Sequence, residues 1–176
     1  MKRLIALLTL STAALCALAP SAGAYERAGR SWPGGRITYY TAAGGYSGSV
    51  DRAARIWSRA NVGVVFVKTP RRQAQVVIDY GGRACEGSAI AGYVGRRRQS
   101  PVELGAGCGR SFIVLTAVHE LGHVLGLGHE NDGCARMNPA FDRTGTPSSC
   151  RSRSLAYWLD HPLLGDDLRG ARALYR

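Results

Sequence analysis

His119-Glu120-Leu121-Gly122-His123-Val124-Leu125-Gly126-Leu127-Gly128-His129 is the stretch from which the rest of the chain can be read. Residues four apart on an α-helix share a face, so His119 and His123 present their imidazoles side by side. Gly126 lets the chain leave the helix sharply, because a residue without Cβ adopts positive φ at little cost. The return then brings His129 toward the same point. Three imidazoles suit a tetrahedral zinc ion whose fourth position stays open to water, the catalytic rather than the structural arrangement. Glu120 lies beside that face, placed to take a proton from the water as general base and to hand it to a leaving amine. The extended motif fixes five positions, which a random chain of this length would show roughly once in a hundred thousand. Three of the four histidines in the chain fall inside it.

Working outward, the apolar residues around the motif predict a helix from about Arg110 to Leu125, stopped by Gly126 and Gly128. Upstream, Arg36 to Tyr40 reads as a strand. Ser49 to Ala60 reads as a helix with Ser49 as its N-cap. Val62 to Val67 and Ala74 to Tyr80 are β-branched runs that read as buried strands. Ala89 to Val94, interrupted by Gly92, suits an edge strand, and Pro101 to Leu104 a further short one. Downstream, 130–161 is rich in Pro, Ser and Gly and reads as loop. A last helix is expected over Gly165 to Leu174. This order describes an α/β (α+β) domain with a mixed sheet.

The 176 residues allow one domain with a sizeable core. Lys2 and Arg3, the apolar run Leu4 to Leu18, and Pro20-Ser21-Ala22-Gly23-Ala24 read as a signal peptide over 1–24, leaving a catalytic domain over 25–176. The run is short for a membrane span and no later segment replaces it, so the mature chain is expected to be extracellular with no transmembrane segment. Export makes Cys85, Cys108, Cys134 and Cys150 two disulfides. Sequence proximity favours Cys85–Cys108 and Cys134–Cys150. The formal charge is +11, almost all of its positive part arginine. Outside Arg96-Arg97-Arg98 these residues are scattered, with no interleaved aromatics to stack bases, so no nucleic-acid partner is expected.

The zinc motif and Met137 in Ala135-Arg136-Met137-Asn138-Pro139 give the chain a resemblance to the metzincin clan of zinc endopeptidases. Within the clan it is most similar to small bacterial relatives of the matrixins. Glu130, directly after the third histidine, is similar to the astacins, whereas Leu127-Gly128 and the Met-turn are not. The resemblance implies a zincin-like mixed twisted sheet, a central active-site helix, a Met-turn at Met137 beneath the metal, and a C-terminal helix. It also implies that the edge stretch Ala89, Ile90, Ala91, Gly92 and Tyr93 takes substrate as an added β-strand. Pro139 and Phe141 would line the pocket for the residue after the scissile bond, although Phe141 reads equally well as core. The activity implied is that of a secreted zinc-dependent metalloendopeptidase, cutting internal peptide bonds of extracellular proteins with one catalytic Zn²⁺. Peptide or protein substrate and a monomeric state are expected. Calcium is open: Asp79, Asp132, Asp142, Asp160, Asp166 and Asp167 are available, yet no ligand spacing stands out among them. Two other readings stand beside the first. One is a secreted basic protein that keeps a zinc site without turnover, against which the intact Glu120 argues. The other directs the same chemistry at cell-envelope peptides.

Overall fold

The computed structural model describes residues 25–81, 84–105 and 107–176; the expected leader, 1–24, lies outside the described residues. In chain order the elements are β1 (Arg36–Thr41), α1 (Ser47–Arg59), β2 (Val65–Lys68), β3 (Val76–Gly81), β4 (Gly87–Ala89), β5 (Ser100–Gly105), α2 (Arg110–Leu125), α3 (Leu155–Asp160) and α4 (Gly165–Tyr175). The strands form one sheet in the order β2-β1-β3-β5-β4. β1, β2, β3 and β5 run parallel, and β4 pairs antiparallel with β5 at one margin, Gly87 opposite Leu104 and Ala89 opposite Val102. Mixed α/β architecture with a mixed sheet is therefore what the chain adopts, as its motif order implied.

On α1, Val50, Ala53, Ala54 and Trp57 recur at i, i+3, i+4 and i+7 and are all buried, the stripe an amphipathic helix turns to its core. α2 is different in kind. From Ile113 to Leu125 every residue except His123 is buried, so the helix is enclosed rather than laid on a surface. Two indoles pin it: Trp57 Nε1 donates to the Val118 carbonyl at 2.8 Å and Trp32 Nε1 to that of Val124 at 2.7 Å. Around its C-terminal end, Ala28 N–H donates to Gly126 O, Gly128 N–H to Glu26 O, and the Tyr175 hydroxyl to Leu125 O. The two disulfides join Cys85 to Cys108 and Cys134 to Cys150, the pairing that proximity favoured.

The expected bounds need three corrections. Ser49 does not cap α1: the helix begins at Ser47 behind Tyr46, and the Ser49 hydroxyl instead donates to the Arg110 carbonyl. The edge strand lies at Gly87–Ala89, not across Ala89 to Val94. Gly92 turns at φ 73° and bonds the His123 carbonyl, while Tyr93 bonds Arg30, so both backbone groups leave the sheet. Finally, the loop-rich 130–161 contains α3, started by Ser154, whose hydroxyl accepts from Tyr157 N–H. No helix among the described residues is long and apolar enough to cross a membrane.

Candidate active site

His119 and His123 project from successive turns of α2. Gly126 ends that helix at φ 107°, its N–H bonded to the Gly122 and His123 carbonyls. A Cβ at Gly126 would meet the Gly29 carbonyl oxygen at 2.9 Å, so the turn admits no side chain. Leu127 then bridges to Arg27, and His129 comes back beside the first two rings. His119 Nδ1 lies 2.9 Å from the Arg136 carbonyl and His123 Nδ1 2.8 Å from that of Leu127. A ring nitrogen that faces a carbonyl carries the proton, which leaves Nε2 as the lone-pair donor. The ligand atoms of the three histidines lie within 4.8 Å of one another, and Nε2 of His123 is 3.2 Å from Nε2 of His129. Imidazole nitrogens bound tetrahedrally to zinc stand roughly 3.3 Å apart, so the donor set fits that ion. Burial lowers the His119 pKa to about 3, reinforced by His123 alongside, and burial lowers that of His123 as well. Both rings are thus held neutral, as ligation requires. This is the only such group among the described residues; the acidic residues weighed for calcium form none.

Glu120 is 3% exposed, and its Oε2 is buried without a hydrogen-bond partner among the described residues. Desolvation raises its pKa to about 8. The edge strand passes directly over it: a Cβ on Gly87 would sit 2.5 Å from Glu120 Oε1. Gly87 therefore gives the carboxyl its room, a role invisible before the strand was placed.

Beneath the histidines the chain turns at Met137. A Cβ on Gly122 would collide with Met137 Sδ, so this unassigned motif position is glycine because the methionine lies against it. The turn hangs on Asp167 of α4, whose carboxylate accepts from the N–H groups of Arg136, Met137 and Leu164. Burial raises the Asp167 pKa and these bonds oppose the rise. Asn138 donates through Nδ2 to the Glu130 and Gly133 carbonyls, and Glu130 Oε1 accepts from Asp132 and Gly133 N–H. Arg136 is fully buried, and burial lowers its pKa to about 10.

A cleft of about 540 Å³ opens over these groups, lined by His119, Glu120, His123 and His129, by Gly87, Ser88 and Ala89 on one side, and by Pro139, Ala140 and Phe141 on the other. Of the expected substrate residues it gathers Ala89, Pro139 and Phe141. Ile90, Ala91, Gly92 and Tyr93 lie outside it. Phe141 is half-buried with its ring edge-on to His119 at 5.2 Å, so it belongs to the pocket. Cys85, Phe112 and Thr116 also line the cleft; the sequence marks Cys85 only as a disulfide cysteine, and Phe112 and Thr116 not at all. Asp167 was visible only as one acid among many.

The family model of the Astacin peptidases matches residues 24–138, and that of Matrixin matches 109–176. Both are metzincin zinc metalloprotease families. The likeness to matrixins read from the motif is matched over the C-terminal part, while the longer match is to astacins. Human Tolloid-like protein 1 is 36% identical over 121 residues, covering 65% of this chain and 11% of that protein. Human Tolloid-like protein 2 is 35% identical over 112 residues (60% and 10%), and Xenopus laevis Bone morphogenetic protein 1 is 36% identical over 112 residues (60% and 14%). The chain therefore spans only 10 to 14% of the length of these relatives. With the astacin match covering well over half of the chain, it belongs to the astacin family.

Proposed function

We propose, taking membership of the astacin family as the premise, that this protein is a secreted zinc-dependent endopeptidase. Its metal would be held by His119, His123 and His129. What supports the reading most is the convergence of three imidazoles beside a buried carboxyl, directly under a sheet margin. Zinc bound there would lower the pKa of water and polarise the scissile carbonyl. The chain's own residues do the rest. Glu120 takes the proton of the attacking water on its carboxylate and passes it to the leaving amine. Desolvation raises the proton affinity of that carboxylate, which suits it to take the proton of the attacking water. Substrate lies along β4 as an added strand, because that strand is the last of its sheet and its outer edge has no partner strand among the described residues. Pro139 and Phe141 receive the side chain that follows the scissile bond. Met137 supports the histidines from below. The apolar leader of 1–24 and the two disulfides support export to an oxidising compartment.

The test is hydrolysis of casein by the purified, disulfide-intact protein, with and without a zinc chelator. Cleavage abolished by the chelator and restored by zinc supports the reading. Absence of cleavage of both casein and envelope peptides, with one zinc bound per chain, overturns it in favour of a zinc-carrying binding protein.

A further inference from the structure

We infer that Arg136 is a positioning residue for the proposed reaction, setting both the orientation of His119 and the far wall of the pocket. The inference rests on the endopeptidase reading. Arg136 approaches His119 along two routes. Its carbonyl faces His119 Nδ1 at 2.9 Å. Its guanidinium carbon lies over the Phe141 ring, 5.2 Å from the ring centre, and over that of Trp158, at 5.3 Å. Phe141 in turn meets the His119 ring edge-on, at 90° and 5.2 Å. One residue therefore braces the imidazole through its backbone and through the aromatic wall it supports.

Its side-chain contacts say why the residue is arginine. Nε donates to Pro162 O and Nη1 to Gly145 O, each at 3.1 Å, tying three loop segments together, while Nη2 is buried with no partner among the described residues. A buried cation with unspent donors is a poor source of stability. Its flat fork, however, is the shape that lies over two rings and reaches two carbonyls at once. Lysine keeps the charge and loses that plane.

The experiment compares Arg136→Lys and Arg136→Met with Ile37→Ala, a fully buried β1 truncation remote from the cleft. Zinc affinity is measured by chelator competition well below each melting temperature. KM and kcat are measured on peptides carrying alanine or leucine after the scissile bond. Arg136→Lys and Arg136→Met should each lose roughly 10- to 100-fold in zinc affinity, the usual cost of disturbing the support of a metal ligand. KM for the leucine peptide should rise more than KM for the alanine peptide, with the smaller change in kcat. Ile37→Ala should melt earlier and keep wild-type affinity. Unchanged affinity and an unchanged KM ratio in Arg136→Lys would overturn the inference, as would an equal affinity loss in Ile37→Ala. If Arg136→Met does not fold, Arg136→Lys decides. Wild-type protein that binds no zinc would instead sink the functional reading itself.

Discussion

Helix α2 and the loop from Glu130 to Cys150 meet at the same three-histidine cluster and are built on opposite principles. The helix satisfies its own backbone, and it is enclosed because most of its side chains are apolar. The loop has no regular ladder, yet Glu130, Ala135, Arg136, Met137, Asn138 and Thr146 are all buried. Its backbone groups are satisfied by scattered turns, such as Glu130 N–H to Met137 O, and by individual side chains: Asp167 under the turn, Asn138 across it, Glu130 at its start, with a disulfide closing the ends. Buried backbone must find partners somewhere. Where the helix finds them in a regular ladder, this coil finds them in single turns and single side chains, the turn at Met137 depending on Asp167 from α4. Changes to Glu120 on the helix should therefore alter chemistry more than stability, and loss of Asp167 or of the Cys134–Cys150 bridge beneath the loop the reverse, with Arg136 touching both.

The largest effect should come from Glu120→Gln. Turnover should fall by roughly 10²- to 10⁴-fold while zinc content and melting temperature stay near wild type; a large drop in melting temperature would break the contrast. Next comes Asp167→Ala, which leaves three backbone N–H groups without their acceptor. At about 1–3 kcal/mol for each buried unsatisfied group, the urea midpoint should move far to lower concentration. If it does not move, the loop is held by something other than these bonds. Replacing Cys134 and Cys150 together by alanine opens a closure spanning 16 residues, worth about 3 kcal/mol by chain entropy, and should cost stability before it costs zinc affinity.

Legibility in the sequence divides along the same line. Arg110 to Leu125 could be bounded to the residue, because apolar continuity upstream and Gly126 downstream are local signals. His119, Glu120, His123 and His129 were found together for the same reason. Asp167 could not be found: what sets it apart is a turn thirty residues away. The edge strand was placed too late in the chain because Gly87-Ser88-Ala89 has no β-branched residue, while Ile90 to Val94 looks like a strand and is not one. Only the approach of Glu120 explains why glycine stands at 87.

The smallest effect concerns the metal-free protein and sharpens the helix side alone. His119 is lowered to about 3 from 6.5 by burial, so the unfolded chain takes up that proton first, and stability is lost as pH falls below about 6.5. Glu120 is raised to about 8 from 4.5, also by burial, so its contribution is lost as pH rises from about 4.5 toward 8. Between about 4.5 and 6.5 the two oppose each other. Melting temperature without zinc should be flat in that window and decline on both sides. A steady rise through pH 8 would show that Glu120 is better solvated than its buried position implies.

The three tryptophans have a consequence for how the molecule can be watched. Trp32 and Trp57 each direct the indole N–H at a carbonyl of α2, and Trp158 directs its own at the Thr146 hydroxyl in the loop. None is more than 2% exposed. The native emission should therefore be blue-shifted, with two fluorophores reporting the helix and one, quenched or not by the guanidinium lying over it, reporting the coil. A two-step red shift on heating would mean that the coil melts before the helix; a single step would mean that they go together.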